Sequence, residues 1–235
     1  MAAFGKTWLE NIDETTKVKY PSVLVTTSDR YHHILPVFLY LYKKYWNEPF
    51  TLLGYKKPDC ELPENCTWYS MGEDTGPNDW STGIRRFVEG QDEQWFTWLM
   101  EDTILKAPVD DTAAWALTGM QNVGRINLTN DVSKREHLKD ETGVLYASPQ
   151  SRYRLSTQPS MWNKEFMLQY LQEGMNPWDF ETQDPMNDGW NILALVDFPV
   201  KHNEGVTKRD IYKLNLDGVA PEDIEHIKTI AEWLK

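Results

Sequence analysis

Ser22-Val-Leu-Val-Thr-Thr-Ser-Asp-Arg-Tyr31, then Ile34 to Trp46, then Phe50 to Gly54: these three stretches decide the fold. Ser22 to Thr27 is a short run of apolar and β-branched residues, the pattern of a buried strand. Ser28-Asp29 supplies the polar stop that precedes a helix. Ile34, Phe38, Leu41, Tyr42 and Tyr45 recur at three- and four-residue spacing and predict a helix over 34–46. Phe50 to Gly54 and Thr67 to Ser70 are further strand candidates. Strand, helix and strand within about 30 residues form a βαβ unit, which pairs its strands in parallel and lays its helix on the sheet. The expected fold class is α/β, with a mixed, mainly parallel central sheet flanked by helices.

Outward from that unit the alternation continues. Residues 72–79 carry turn chemistry. Trp80 to Glu89 reads as helix, and Gln94 to Met100 as an almost continuous apolar strand. A helix over Asp110 to Gln121 and a strand over Val123 to Leu128 follow, then a polar stretch at 129–142. The block Tyr153 to Gly174 turns helical over Asn163 to Leu171. Pro221 to Leu234 is amphipathic, with a stripe of Ile224, Ile227, Ile230 and Leu234. Its acidic face (Glu222, Asp223, Glu225, Glu232) favours docking on a core over lying on a membrane. No repeat, low-complexity tract or Pro/Gly/Ser linker divides the chain. One domain over residues 1–235 is expected, with a polar N-terminal arm (1–20) and a C-terminal amphipathic helix (221–235).

The 235 residues suffice for a proper hydrophobic core. A net charge of −12, from 24 Lys plus Arg against 36 Asp plus Glu, disfavours nucleic acid as partner and a polybasic membrane anchor. Hydrophobic residues at 40% and aromatics at 13% are too many for a disordered chain. Eleven Trp exceed the usual need of such a core and suit flat ligands such as bases or sugar rings. Met1 to Lys19 has no apolar run of signal-peptide length, and Cys60 and Cys66 then read as reduced thiols, so a cytoplasmic location is expected.

Three places carry candidate chemistry. The strand Trp95-Phe-Thr-Trp-Leu-Met100 ends in Glu101-Asp102. In open α/β sheets ligands collect beyond the carboxyl ends of strands. Two acids there repel, raising one pKa, unless a cation such as Mg²⁺ or Mn²⁺ lies between them. The plainer reading is a solvated loop or a turn cap. At the end of the first strand, Ser28, Asp29, Arg30 and Tyr31 are placed for a base and a ribose, whereas His32-His33 make a poor metal pair. The second place is Asn176-Pro-Trp-Asp-Phe-Glu181, where aromatics flank Asp179 and Glu181. Such flanks favour a general base, or a sugar platform, or merely plug a helix end. The third is Lys201 to Arg209, basic around a glycine, which suits a departing diphosphate or is a loop; His202 there is a metal ligand, a phosphate donor or structural. No GxGxxG, Walker loop, GxSxG or HExxH is present.

Four segments in this order are similar to a known family: Val23 to Tyr31, Phe96 to Leu105, Arg154-Leu-Ser-Thr-Gln-Pro-Ser-Met-Trp-Asn163, and Pro177-Trp-Asp-Phe-Glu181. Together they resemble the viral and phage-type glycosyltransferases of GT-A (Rossmann-like) fold, over roughly Ser22 to Lys213. The resemblance implies a nucleotide-sugar donor, UDP- or GDP-linked, and a glycan or other hydroxyl acceptor. Donor contacts would come from Thr27, Ser28, Asp29, Arg30, Tyr31, Glu101, Arg154, Gln158, Trp162, Lys208 and Arg209. It also implies Mn²⁺ or Mg²⁺ on Asp102, with Glu101 as the alternative and His202 as a further ligand. Glu181 or Asp179 would be the catalytic carboxylate of an inverting displacement. The family's acidic motif is Asp-Asp or Asp-x-Asp, whereas Glu101-Asp102-Thr103 stands here. That departure keeps a second reading in view, a carbohydrate-binding or structural virion protein of the same fold. A nucleotidyltransferase is a third, but its Gly-rich basic loop is missing after the first strand.

Overall fold

The computed structural model describes residues 23–129, 137–139, 143–151, 153–183, 187–204 and 214–231. The opening unit forms as its pattern predicts: β1 (Val23–Thr26), α1 (Leu35–Tyr45) and β2 (Phe50–Gly54), with β2 parallel to β1. β3 (Cys66–Ser70) adds in parallel outside β2. α2 (Trp80–Glu89) leads into β4 (Trp95–Met100), which pairs with the other side of β1 in register Thr26 to Met100. Next come a short β5 (Thr103–Leu105), α3 (Thr112–Leu117) and β6 (Val123–Asn127). The predicted helix over 110–121 is therefore shorter than expected, because Gly119 and Asn122, the latter at φ 56°, break it.

β7 (His137–Lys139), β8 (Val144–Ala147), β9 (Ser160–Asn163), α4 (Lys164–Tyr170), α5 (Pro177–Glu181), β10 (Asn191–Leu195), β11 (His202–Glu204) and α6 (Pro221–Ile230) complete the order. The main sheet runs β3-β2-β1-β4-β9-β6-β10-β8-β7, and β11 pairs with β5 as a separate two-stranded ribbon. Only β9 and β8 run against the other strands of the main sheet. Five strands go beyond the sequence reading: β5 follows directly on the acidic pair, β7 lies in what reads as a polar connection, β8 and β10 are not expected, and β11 falls where a loop is expected. Pairing with neighbouring strands supplies what their own pattern lacks.

Alternation along the strands divides the core between two faces. Val23, Val25 and Leu99 point to the face covered by α1, α3 and α6. Leu24, Phe96 and Trp98 point to the opposite face, with residues of α2, α4 and α5. That second face is aromatic: Trp80 stacks on Trp98 at 5.5 Å, and Phe180 sits about equally far from Trp98 and Trp162, at 6.0 and 5.7 Å. Gly124 in β6 lets Phe166 approach so closely that a Cβ there would meet its ring at 2.5 Å. Among the described residues no helix is long and apolar enough to cross a membrane.

Candidate functional site

The parallel pairing of β2, β1 and β4 brings their carboxyl ends together, and the candidate residues gather along that edge. β1 runs on into Thr27, whose amide donates to Leu53 O at 2.9 Å, and then into a 3-10 turn at Asp29–Tyr31. Gly54, at the end of β2, makes this approach possible, since a Cβ there would lie 2.9 Å from the Thr27 methyl. Asp29 accepts from the Lys56 amide at 3.1 Å, which ties the turn to the segment after β2. Thr27 is buried, Ser28 and Tyr31 are half-buried, and Asp29 and Arg30 are exposed. The Arg30 guanidinium lies 5.8 Å from the Tyr31 ring centre.

At the end of β4, Glu101 does not enter a solvated loop. It is 3% exposed, and its Oε1 accepts from the Ser28 amide at 3.3 Å. Burial, and next the charge of Asp102, push its carboxyl up to about 8. Glu101 therefore joins the two strand ends, and Asp102 stands beside it, half-buried. The chain then enters β5, and the ribbon register sets Glu204 opposite Thr103 and His202 opposite Leu105.

The ribbon supplies the next contact. His202 Nε2 lies 3.2 Å from Gln158 Oε1, in the segment that leads into β9. Thr157, one residue earlier, donates its amide (2.7 Å) and its hydroxyl (2.8 Å) to Glu181 Oε1. One chain of contacts thus runs from β5 through His202, Gln158 and Thr157 to the carboxylate that ends α5. Beside the ribbon, Lys106, Phe198, Val200, Lys201 and His202 line a cleft of about 260 Å³.

The segment at 176–181 is a helix rather than a plug, and its two acids differ in use. Asn176 and Asp179 form a reciprocal capping box, with Asp179 N donating to Asn176 Oδ1 at 2.9 Å. Asp179 is thereby engaged in capping the start of the helix, whereas Glu181, at its other end, faces Thr157. Phe180 points into the aromatic core and Trp178 into solvent.

Two expected donor contacts lie in the interior instead. Trp162 is fully buried, 5.9 Å from Trp98 and beneath the Arg125 guanidinium at 5.0 Å. Arg154 is 1% exposed; its Nη2 donates to Asp188 Oδ1 and to Trp190 O, each at 2.8 Å. Both face packed protein, so neither presents a surface to a ligand. Lys208 and Arg209 lie outside the described residues. The sequence reading missed Arg125, which donates twice to Ser160 Oγ and once to Arg154 O. An arginine inside the strand-forming run Val123 to Leu128 was the available signal.

Mn²⁺ or Mg²⁺ needs several oxygen donors aimed at one point. Among the described residues no three His, Cys, Asp or Glu side chains form such a group. Glu101 is turned to the Ser28 amide and His202 to Gln158. The described donor set does not fit the ion that the sequence reading expects, and no step below is derived through one.

No family model matches the chain, and no curated protein matches it in sequence. Solved structures match in shape. A mannosyltransferase from Pyrobaculum calidifontis, solved with GDP-Man and Mn²⁺, is 13% identical with a TM-score of 0.50. The match covers 83% of this chain and 60% of that one. The S. aureus TarS 1–349 structure also gives 13% identity and a TM-score of 0.50, over 92% of this chain and 65% of that one. The fold is that of the GT-A glycosyltransferases. The chain spans less than two thirds of the length of either match. Neither source is a virus or a phage, so the viral part of the sequence resemblance finds no support there.

Proposed function

We propose that the chain transfers a sugar from a nucleotide-diphosphate sugar to a hydroxyl acceptor. The observation that carries this reading is the contact chain from Glu181 through Thr157 and Gln158 to His202. Thr157 and Gln158 lead into β9, whose Ser160 pairs with Trp98 near the carboxyl end of β4, so the α5 carboxylate is tied to that end of the sheet. The reading is also supported by the fold shared with the mannosyltransferase, whose structure holds GDP-Man.

The turn at 28–31 takes the base and ribose, with Tyr31 and Arg30 giving a flat face and Ser28 a hydroxyl. Glu101 holds that turn from beneath, as a positioning residue. Glu181 is held through one oxygen by Thr157, and its other oxygen takes the proton of the acceptor hydroxyl. As that proton leaves, the acceptor oxygen bonds to the anomeric carbon and the bond from that carbon to the phosphate oxygen breaks. The electron pair departs on the nucleotide diphosphate, and attack in line inverts the anomeric centre. The growing charge is met by cations near the ribbon: Lys106 and Lys201 beside His202, with Lys208 and Arg209 further along the chain.

Thermal melting with UDP, GDP, CDP and their sugar conjugates, with and without Mn²⁺, tests this. A ligand of the folded state raises the melting temperature by mass action. The expected result is a rise with UDP or GDP that is lost when the face of the 28–31 turn is removed in Tyr31→Ala. Glu181→Gln keeps that rise and abolishes release of nucleotide from the sugar donor. The Mn²⁺ arm shows directly whether an ion takes part. A panel that stays flat at millimolar nucleotide overturns the reading in favour of a carbohydrate-binding protein of the same fold.

A further inference from the structure

We propose that the exposed indole of Trp178 is the stacking platform for a pyranose ring of the acceptor. This rests on the transferase reading above and names the acceptor's chemical class. Trp178 is 66% exposed, the most of any large hydrophobic side chain among the described residues. An indole left in water gives up the gain of burial, and the folded chain has nearby aromatic core into which Phe180, two residues on, is inserted.

The side chain is also held in place. Pro177 fixes the first turn of α5, Asn176 and Asp179 cap it reciprocally, Phe180 anchors it in the core, and Glu181 ties its end to Thr157. Five residues around Trp178 thus immobilise its backbone and leave the indole pointing outward. A platform held in this way loses little entropy when a ligand settles on it.

The surroundings select the ligand. Trp178 and Glu181 are one helical turn apart, so a ring on the indole lies beside the carboxylate that holds Thr157. The second oxygen of Glu181, which Thr157 does not engage, adds a hydrogen-bond acceptor one helical turn from the flat face. An apolar plate rimmed by hydrogen-bonding groups fits a pyranose, which has C–H faces and a rim of hydroxyls. An apolar peptide side chain on the indole would give the neighbouring Glu181 carboxylate no hydrogen bond.

The test uses the full chain labelled with 5-fluorotryptophan, the Trp178 resonance being assigned by its loss in Trp178→Phe. The probes are the methyl pyranosides of glucose, galactose, mannose and N-acetylglucosamine at tens of millimolar, with glycerol, UDP and GDP as comparisons. The Trp178 resonance is expected to move with at least one pyranoside and to stay still with glycerol and with the nucleotides. In turnover with that pyranoside as acceptor, Trp178→Ala is expected to raise its KM about tenfold, with Trp178→Phe in between and donor KM unchanged. A Trp178 resonance that ignores all four sugars, or answers glycerol or a nucleotide equally, overturns the proposal. A normal nucleotide-dependent rise in melting temperature would leave the transferase reading standing in that case. A sugar response without any nucleotide-dependent rise would instead remove the transferase and keep the platform.

Discussion

At the scale of single residues, Arg154 and Asp188 show how burial changes the role of a charge. Their ion pair at 2.8 Å is almost fully enclosed, with side-chain exposures of 1% and 7%, and Tyr170 adds a hydrogen bond to Asp188 at 2.9 Å. Removing one partner leaves the other charged in a place that cannot solvate it, at a cost of about 3–5 kcal/mol. Arg154→Ala is therefore expected to lose stability on that scale in urea unfolding, with nucleotide affinity per folded molecule unchanged. A variant that folds normally but loses nucleotide binding would return Arg154 to the donor site. The resemblance places Arg154 among the donor contacts, and nothing in its sequence neighbours announces Asp188, 34 residues away.

At the scale of elements, the docking of α6 on α1 depends on one carboxylate. Asp223 is fully buried and accepts from Tyr40 Oη at 2.6 Å, from Lys44 Nζ at 2.5 Å and from Tyr45 Oη. Burial by itself would raise its pKa, but the hydrogen bonds from Lys44, Tyr40 and Tyr45 together hold it below the ordinary 3.8. A carboxyl depressed in the folded state stabilises above its unfolded pKa and loses that contribution as pH falls through the folded one. Asp223→Asn is thus expected to lower the melting temperature by several degrees at pH 7, with the difference closing below pH 3.8. An equal deficit at every pH would mean that the acid acts only by its shape. The amphipathic stripe of α6 was legible from Ile224, Ile227 and Ile230, whereas the polar clasp at its start was not. Asp223 reads as one more acid on a solvated face until α1 is laid against it.

For the whole molecule, the pH dependence of stability joins that clasp to a second buried acid. Burial, first, pushes the Asp111 carboxyl from 3.8 up to about 6, and the charges of Glu48 and Asp110 add to it. The folded state then holds a proton that the unfolded chain has released, so stability falls as pH rises from about 4 to about 6. Asp111→Asn should lessen that decline between about pH 4 and about pH 6 and gain on the order of 2 kcal/mol at pH 7, read by urea unfolding, while buried Glu101, raised to about 8, keeps its own decline at higher pH. An unaltered slope in the variant would assign the decline to another group.

What the sequence determined by itself is the frame: β1, α1, β2 and β4 follow from runs and periods that are local, and hence the sheet edge that Glu101 and Asp102 occupy. The helix α4 was legible for the same reason, whereas the strand from Gln158 came only from the resemblance. Tertiary structure alone decided the roles. Strand register turned Glu101 to the Ser28 amide, and the β5–β11 ribbon set His202 against Gln158. Helix α5 separated Asp179, a cap, from Glu181, which grips Thr157. Each of these partners is distant in sequence or hidden by a short element. Hydrogen bonding and burial depend on what is near in space, and local pattern carries no record of that.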